Sequence, residues 1–414
     1  MVTDTAAAGR LESTDLGDPV MFSDPYPRYA ELRRTSPVSR AYSKQMLGGA
    51  GYMLTRHEHV LLLHNDVRFS SDPTSQGSFL MRHLPRMFRL LMSSMVYKDD
   101  PDHARLRRLV NKAFTPRRVQ QMTGEIERIV TELLDRVEQR GSETIDLVND
   151  VAVPLPLTVI STMLGVGDED RDEFHVLMER FVVRLGSGSA TDAMKAVPTA
   201  RKLYAVLERL AEQRRAEPED GLISALLDAS EDGDSLSSDE VIAMIFLLML
   251  AGHDTTANLI GSSAVALIEH PEQAERLRTE PSLRPSAVEE LLRYTTPVPC
   301  GAARTLLDDV EIDGTTMAKG SKVLGMIISA NRDEAVFDRP DDLDLGRDPN
   351  RHLTFAFGKH FCLGNQLARL EGQIAVGELV RRFPDMRLAV PQEDLRYKPV
   401  QALRGFRSLP MQLR

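Results

Sequence analysis

Phe355-Ala-Phe-Gly-Lys-His-Phe-Cys-Leu-Gly364 is the stretch on which the reading of this chain turns. It holds Cys362, one of two cysteines among 414 residues, between Gly358 and Gly364 and just ahead of a helical pattern that begins at Asn365. A thiolate approached by glycines and backbone amides can hold a metal from one axial side. No second cysteine lies within reach of it in the sequence, so a zinc or iron–sulfur cage, which needs several ligands, is hard to build.

Outward from that loop, composition narrows the field. A net charge of −10 argues against a general nucleic-acid binder, which favours a basic surface. Cys300 and Cys362 cannot make a disulfide framework and fit a reducing compartment. Residues 1–10 include Asp4 and no apolar core, so they do not read as a signal peptide, and the longest apolar run, Val241–Ala251, is too short to span a bilayer. A soluble, cytoplasmic protein without membrane or nucleic-acid partners is expected. No Gly/Ser tract, like-charge block or fixed-period repeat marks a seam, so residues 1–414 are read as a single domain able to bury a large core and a cofactor within it.

Helical periodicity dominates, over Pro27–Arg34, Ala104–Ala113, Val119–Arg140, Asp170–Leu185, Ala193–Ala216 and Asp239–Glu269. Strand-like text is sparse: Gly51–Thr55, Val310–Ile312, Lys322–Ile328 and the closing region 388–414. The fold class is therefore mainly α with small β-sheets (α+β). Two connections stand out. Residues 71–98 carry Met81, Met87, Met92 and Met95 among other apolar residues, which reads as core filler or as the adaptable wall of a pocket. Leu185-Gly-Ser-Gly-Ser-Ala-Thr191 reads as a solvent loop or as the hinge of a lid.

Ser237 followed by Glu240 forms a capping-box pattern, and the run after it, Val241–Ala251, is apolar on every face. Gly252-His-Asp-Thr-Thr256 then interrupts it with polar residues that must find partners if buried. One reading is a kink in which Thr255 bonds back to the carbonyl of Ala251. The other is a groove: Gly252 admits a flat ligand, Asp254 and Thr255 relay protons, and Leu247, Ala251 and Thr255 share one face. Farther on, Glu290 and Arg293 are spaced i,i+3 on a helix started by Pro285, and Arg347 completes an Arg–Glu–Arg cluster that fixes the fold without taking part in chemistry.

In this order and spacing, Ala251-Gly-His-Asp-Thr255, Glu290-x-x-Arg293, Arg347 and the Cys362 loop resemble the cytochrome P-450 family along essentially the whole chain. The resemblance implies the cytochrome P-450 fold, with heme b (iron protoporphyrin IX) buried between a long central helix and the cysteine loop. It implies Cys362 as the iron ligand, Phe355 packing near the thiolate, Gly358 and Gly364 turning the loop and presenting amides to sulfur, and Ala251 bordering the heme. His103, Arg107, Arg304 and His360 match positions that bind heme propionates. One departure is Ala356, where the family usually has glycine; an adjusted loop is expected there, with heme retained.

The implied activity is O2-dependent monooxygenation of a C–H bond, with Asp254 and Thr255 managing proton delivery. The alternatives are a peroxide-driven heme enzyme or a non-catalytic heme-binding protein. The substrate pocket is expected from Met92, Leu247, Leu250, Ala251, Val298, Cys300, Ala402 and Leu403, with an inert, buried thiol as the commoner reading of Cys300. It is apolar, which favours a hydrophobic macrolide, polyketide, terpenoid or fatty-acid-like molecule. The chain has no flavin or iron–sulfur motif, so the resemblance implies a ferredoxin and an NAD(P)H-dependent ferredoxin reductase as electron donors to a monomeric enzyme. Arg105, Arg107, Arg108, Lys112, Arg117 and Arg118 are expected to form the docking patch for an acidic ferredoxin.

Overall fold

The computed structural model describes residues 11–73, 86–166, 190–231 and 233–413, together with a few positions between 173 and 181. Its principal helices are α1 (Tyr26–Thr35), α2 (His57–Asn65), α3 (Asp102–Ala113), α4 (Thr123–Gln139), α5 (Pro154–Leu164), α6 (Ala190–Ala216), α7 (Ser238–Glu269), α8 (Arg284–Thr295) and α9 (Asn365–Arg382). The largest sheet uses β1 (Ser13–Asp15), β2 (Val38–Ser43), β3 (Gly49–Leu54), β4 (Phe69–Ser70), β5 (Arg304–Leu306) and β6 (Lys322–Gly325), in the order β1-β2-β3-β6-β5-β4. Its β2–β3 hairpin is antiparallel, whereas β6 joins β3 in parallel. Short strands at Ile145–Asp146, Arg387–Leu388 and Pro410–Gln412 make a second, three-stranded sheet.

Helix α7 is the axis of the fold. The Ser237 hydroxyl accepts the Glu240 N–H at 3.3 Å, and the Glu240 carboxylate accepts the Ser237 N–H at 2.8 Å, so the expected capping box is formed. Beyond the cap, Val241–Met249 is buried without a break, because α5, α6, α8 and α9 all pack around it. Among the described residues α7 alone is long and apolar enough to cross a membrane by composition, yet 72% of its most apolar window is covered by the rest of the protein. It is a core helix.

Helix α8 begins with Pro285 in its first turn and carries the expected ionic cluster. Arg293 and Glu290 are both fully buried and meet through two bonds of 2.8 Å. Arg347 reaches both Glu290 oxygens at 3.1 Å, and Asn350 and the Asp344 N–H also donate to that carboxylate.

Several boundaries differ from the sequence reading. The helix expected over Val119–Arg140 is two helices, Pro116–Gln121 and α4, joined at Met122, where Thr123 and Gly124 are weak helix formers. The strand expected over Lys322–Ile328 stops at Gly325, and Ile327–Ala330 turns helical as Ser329 donates to the Thr55 carbonyl. Strand β2 and helices α2 and α5 were not anticipated. The Leu185–Thr191 connector, most of the helix expected over Asp170–Leu185 and most of the Met-rich loop fall outside the described residues. Of the last, Met95 is buried and Met92 lies partly buried against the main core.

Candidate active site

The cysteine loop leaves the Arg293 cluster, passes under α2 and delivers Cys362 to the first turn of α9. Gly358 sits at φ +66, and a side chain there would approach Asn65 Oδ1 to 2.8 Å, so both conformation and space demand glycine. Gly364, by contrast, has an ordinary φ of −79, so its predicted role in turning the loop is not seen. Its backbone N–H nevertheless acts on the Cys362 thiol. Burial raises the thiol's pKa, while that N–H, Arg107 and Arg369 each act to lower it. The Cys362 N–H is held by the Phe355 carbonyl at 2.9 Å, and the Phe355 ring packs in the core beneath the Arg369 guanidinium, 4.4 Å from its centroid.

Arg369 was missed by sequence reasoning, although its place on the helix that follows Cys362 was a usable signal. It donates to Glu289, which also meets His352. Burial pushes the Glu289 carboxyl up, but hydrogen bonds from Arg369 and His352 outweigh it and hold the group at about 2.

Ala356 adopts φ +60, a left-handed conformation unfavourable to any residue with a Cβ. The sequence reading expected an adjusted loop here; in the structure the alanine itself takes the left-handed backbone.

Beside the cysteine lies a group of buried basic side chains. The His103 and His360 rings lie with centroids 4.3 Å apart, tilted by 45°, and His360 Nε2 lies 2.9 Å from the Ser71 hydroxyl. Arg304, on β5, faces the same group and, through charge, acts on His360 and His64. Burial drives the Arg304 guanidinium down to about 10, only partly opposed by Asp99. Burial lowers Arg107 as well, partly offset by the nearby Cys362 thiol. His360 is held at about 2 by burial and by the charges of Arg304 and His103. Among the described residues, His103 Nε2 and Arg304 Nε have no hydrogen-bond partner. A buried Arg304 guanidinium with an unpartnered Nε, beside Arg107 and the unpartnered His103 Nε2, calls for an anionic group with several acceptor oxygens. A heme meets that demand with two carboxylates, so the residues fit the group.

On α7 the covering lapses at Leu250, Ala251, Gly252 and Thr255, while His253, Asp254 and Thr256 remain buried. A side chain at Gly252 would meet no atom within 4 Å. The Thr255 hydroxyl donates to the Ala251 carbonyl at 2.7 Å, as the kink reading anticipates. That bond uses the only hydroxyl proton and leaves the oxygen lone pairs to accept from whatever enters the groove, so the two readings of this segment are compatible. Asp254 accepts from Lys398 Nζ at 2.7 Å, a partner no sequence signal identified.

Of the expected pocket residues, Leu247 is buried in the α7 core, and Met92 and Leu250 pack against it, while Val298, Ala402 and Leu403 are partly exposed. Cys300 fits the description of an inert, buried thiol. Its side chain belongs to a separate cluster with Tyr29, Leu32, Met53 and Met326 on the sheet side, where burial raises its thiol to about 12. Strand-like pairing joins Cys300 to Met326 of the same cluster. Most of the basic residues expected in the docking patch have acidic partners within the protein. Arg105 is paired with Asp234 and Glu240, Arg108 and Lys112 with Glu231, and Arg118 with Asp220, so most of that charge is neutralised within the protein.

Comparison with known proteins agrees with this geometry. Residues 58–396 match the family described as Cytochrome P450. The chain is 40% identical to Cytochrome P450 107B1 of Saccharopolyspora erythraea, over 95% of this chain and 96% of the relative. It is 38% identical to the polyketide biosynthesis cytochrome P450 PksS of Bacillus subtilis, over 94% and 96% of the two chains. The solved structure of PksS superposes with a TM-score of 0.88, covering 96% of this chain and 99% of that one at 36% identity. A structure of the mixed-function P450 MycG, as a mutant in complex with mycinamicin V, superposes with a TM-score of 0.82 at 35% identity, covering 94% and 98%.

Proposed function

This chain belongs to the cytochrome P450 family, is an oxygen-incorporating oxidoreductase and takes heme b as its cofactor; on that premise we propose that Cys362 would hold the heme iron and that His103, Arg107, Arg304 and His360 would hold the propionates. The carrying observation is the unbalanced group of buried basic side chains beside the cysteine. Phe355 and the Gly364 amide shield and stabilise the sulfur, and Gly358 gives the loop its turn. Bound heme supplies the centre at which O2 is reduced at the expense of a C–H bond.

The protein's own part on the opposite side is proton handling. Thr255, with its proton committed to Ala251, accepts and orients a donor in the groove, and Asp254 supplies the carboxylate that exchanges protons with solvent. Ala251 and Gly252 leave room for the flat group and its ligand.

The substrate we propose is a bulky, hydrophobic macrocycle of polyketide type. Met92, Leu247, Leu250, Ala251, Val298, Ala402 and Leu403 would line its pocket, and the names of PksS and of the MycG complex support that class. Electrons would come from a ferredoxin and its NAD(P)H-dependent reductase, with the enzyme working as a single cytoplasmic unit. Since the basic cluster is mostly self-paired, docking would rest on Arg117, which is exposed and has no ionic partner among the described residues, and on the exposed Phe357 and Phe361 rings of the cysteine loop.

Thr255→Ala tests the assignment. Using the compound that gives the largest spin-state shift in a screen of macrocycles, product per reductant should fall by roughly 100-fold as hydrogen peroxide accumulates. The reduced carbon monoxide difference spectrum should keep the red-shifted Soret band of thiolate ligation. Efficient product formation by this variant would sink the proton role of Thr255, and a native spectrum without the shifted band would sink Cys362 as the ligand.

A further inference from the structure

The carboxylate assigned to proton handling is tied to the element assigned to the substrate. Lys398 Nζ donates to Asp254 Oδ1 at 2.7 Å, and the two side chains are 21% and 8% exposed. Lys398 lies on a C-terminal hairpin in which Tyr397 bridges Phe406 and the Lys398 N–H bonds to the Gly405 carbonyl at 2.8 Å. The hairpin tip is Val400–Leu403, closed by the Leu403 N–H on the Val400 carbonyl. Just past the tip, the Arg404 N–H bonds to the Pro297 carbonyl, next to Val298. The hairpin also lies directly on α7 one turn beyond Asp254. A side chain at Gly405 would come within 1.9 Å of Asn258 Oδ1, so only glycine fits, and Asn258 Nδ2 is buried with no partner among the described residues.

We propose that Lys398 is a positioning residue that makes the availability of Asp254 depend on whether the pocket is filled. A bulky ligand pressing on Ala402 and Leu403 displaces the hairpin, draws the Lys398 ammonium from Asp254 Oδ1 and frees the carboxylate to turn toward the groove. Without the ligand, the ion pair holds Asp254 against the hairpin. The inference rests on the pocket reading of Ala402 and Leu403 given above.

Linkage fixes the sign of the test. If binding must break the ion pair, then removing the pair beforehand tightens binding by the same free energy. Clotrimazole, a bulky azole, would be titrated into the ferric holoenzyme and followed by its Soret shift. For a partly exposed pair, Lys398→Met and Asp254→Asn should each lower Kd by about three- to fivefold. The double variant should show that same factor, and Lys398→Arg should bind like the native protein. Unchanged or weaker binding in Lys398→Met overturns the proposal, since a merely structural role for Lys398 loosens the hairpin and the site with it. So do single effects that multiply in the double variant. If the native holoenzyme gives no saturable shift, the pocket reading fails and this inference with it; if the native shifts but the variants do not differ, only this inference fails.

Discussion

Arg293 and Arg304 are both almost inaccessible to solvent, yet their electrostatic circumstances are opposite. Arg293 donates to both oxygens of Glu290 and to the carbonyls of Asn331, Pro340 and Asp342, at 2.7 to 3.0 Å. Its charge is balanced and its donors are used. Among the described residues, Arg304 has Asp99 as the one opposing charge acting on it, an unpartnered Nε, and histidines as neighbours. A buried cation with a complete shell holds a fold together. One with an incomplete shell is stable only if the missing acceptors arrive with a ligand, and that difference separates the structural cluster from the cofactor cradle.

The comparison breaks most visibly at Glu290. Glu290→Gln leaves Arg293 and Arg347 buried without their countercharge and should destabilise the protein by about 3–5 kcal/mol, measured by urea unfolding. Near-native stability would mean that the cluster is not structural.

Arg304→Leu should behave in the opposite way. It removes a charge that the apoprotein does not balance, so the apoprotein should unfold at the same or a higher urea concentration. Heme, however, should transfer to apomyoglobin about 10- to 100-fold faster, because one charge-assisted contact to the propionates is gone. Unchanged heme transfer would remove Arg304 from the cradle.

Glu371 on α9 sharpens the contrast as a buried acid whose Oε2 has no partner among the described residues, and burial raises it to about 8. Its folded pKa lies above the ordinary glutamate value, so the folded state binds the proton more tightly. The associated stability is complete below the ordinary value near pH 4.5 and is lost as pH rises through about 8. Glu371→Gln should therefore flatten the decline in urea midpoint between pH 6 and pH 9. An equally steep decline in the variant would place its source elsewhere.

The smallest expected effect lies in the loop that joins the two regions. Ala356→Gly relieves the left-handed backbone at the cost of greater freedom in the unfolded chain, for a net gain of about 0.5–1 kcal/mol in urea unfolding. A loss of stability would contradict the +60° φ at this position.

Much of this site was legible because its parts are local. The capping box at Ser237 and Glu240, the i,i+3 pair Glu290–Arg293, the back-bond of Thr255 and the Gly364 amide at Cys362 all involve residues within a turn of one another. The partners of the basic patch were hidden for the converse reason. Arg105, Arg108 and Lys112 meet acids between Glu231 and Glu240, and nothing within α3 announces that those acids will fold against it. Which cluster Cys300 joins was likewise not legible from its place in the chain, because its neighbours Tyr29, Met53 and Met326 come from distant segments.

By itself, then, the sequence determined the chemistry of the cysteine loop, the length and burial of α7 and the identity of the acid–alcohol pair. These follow from residue type and short-range spacing, which any conformation of the chain preserves. Only the tertiary structure decided which charges are balanced, that Arg304 is left short of acceptors, that Lys398 holds Asp254, and that Ala356 takes a left-handed backbone. Those outcomes depend on which distant segments meet and how much water they exclude, since the strength of a charge or a hydrogen bond is set by its surroundings.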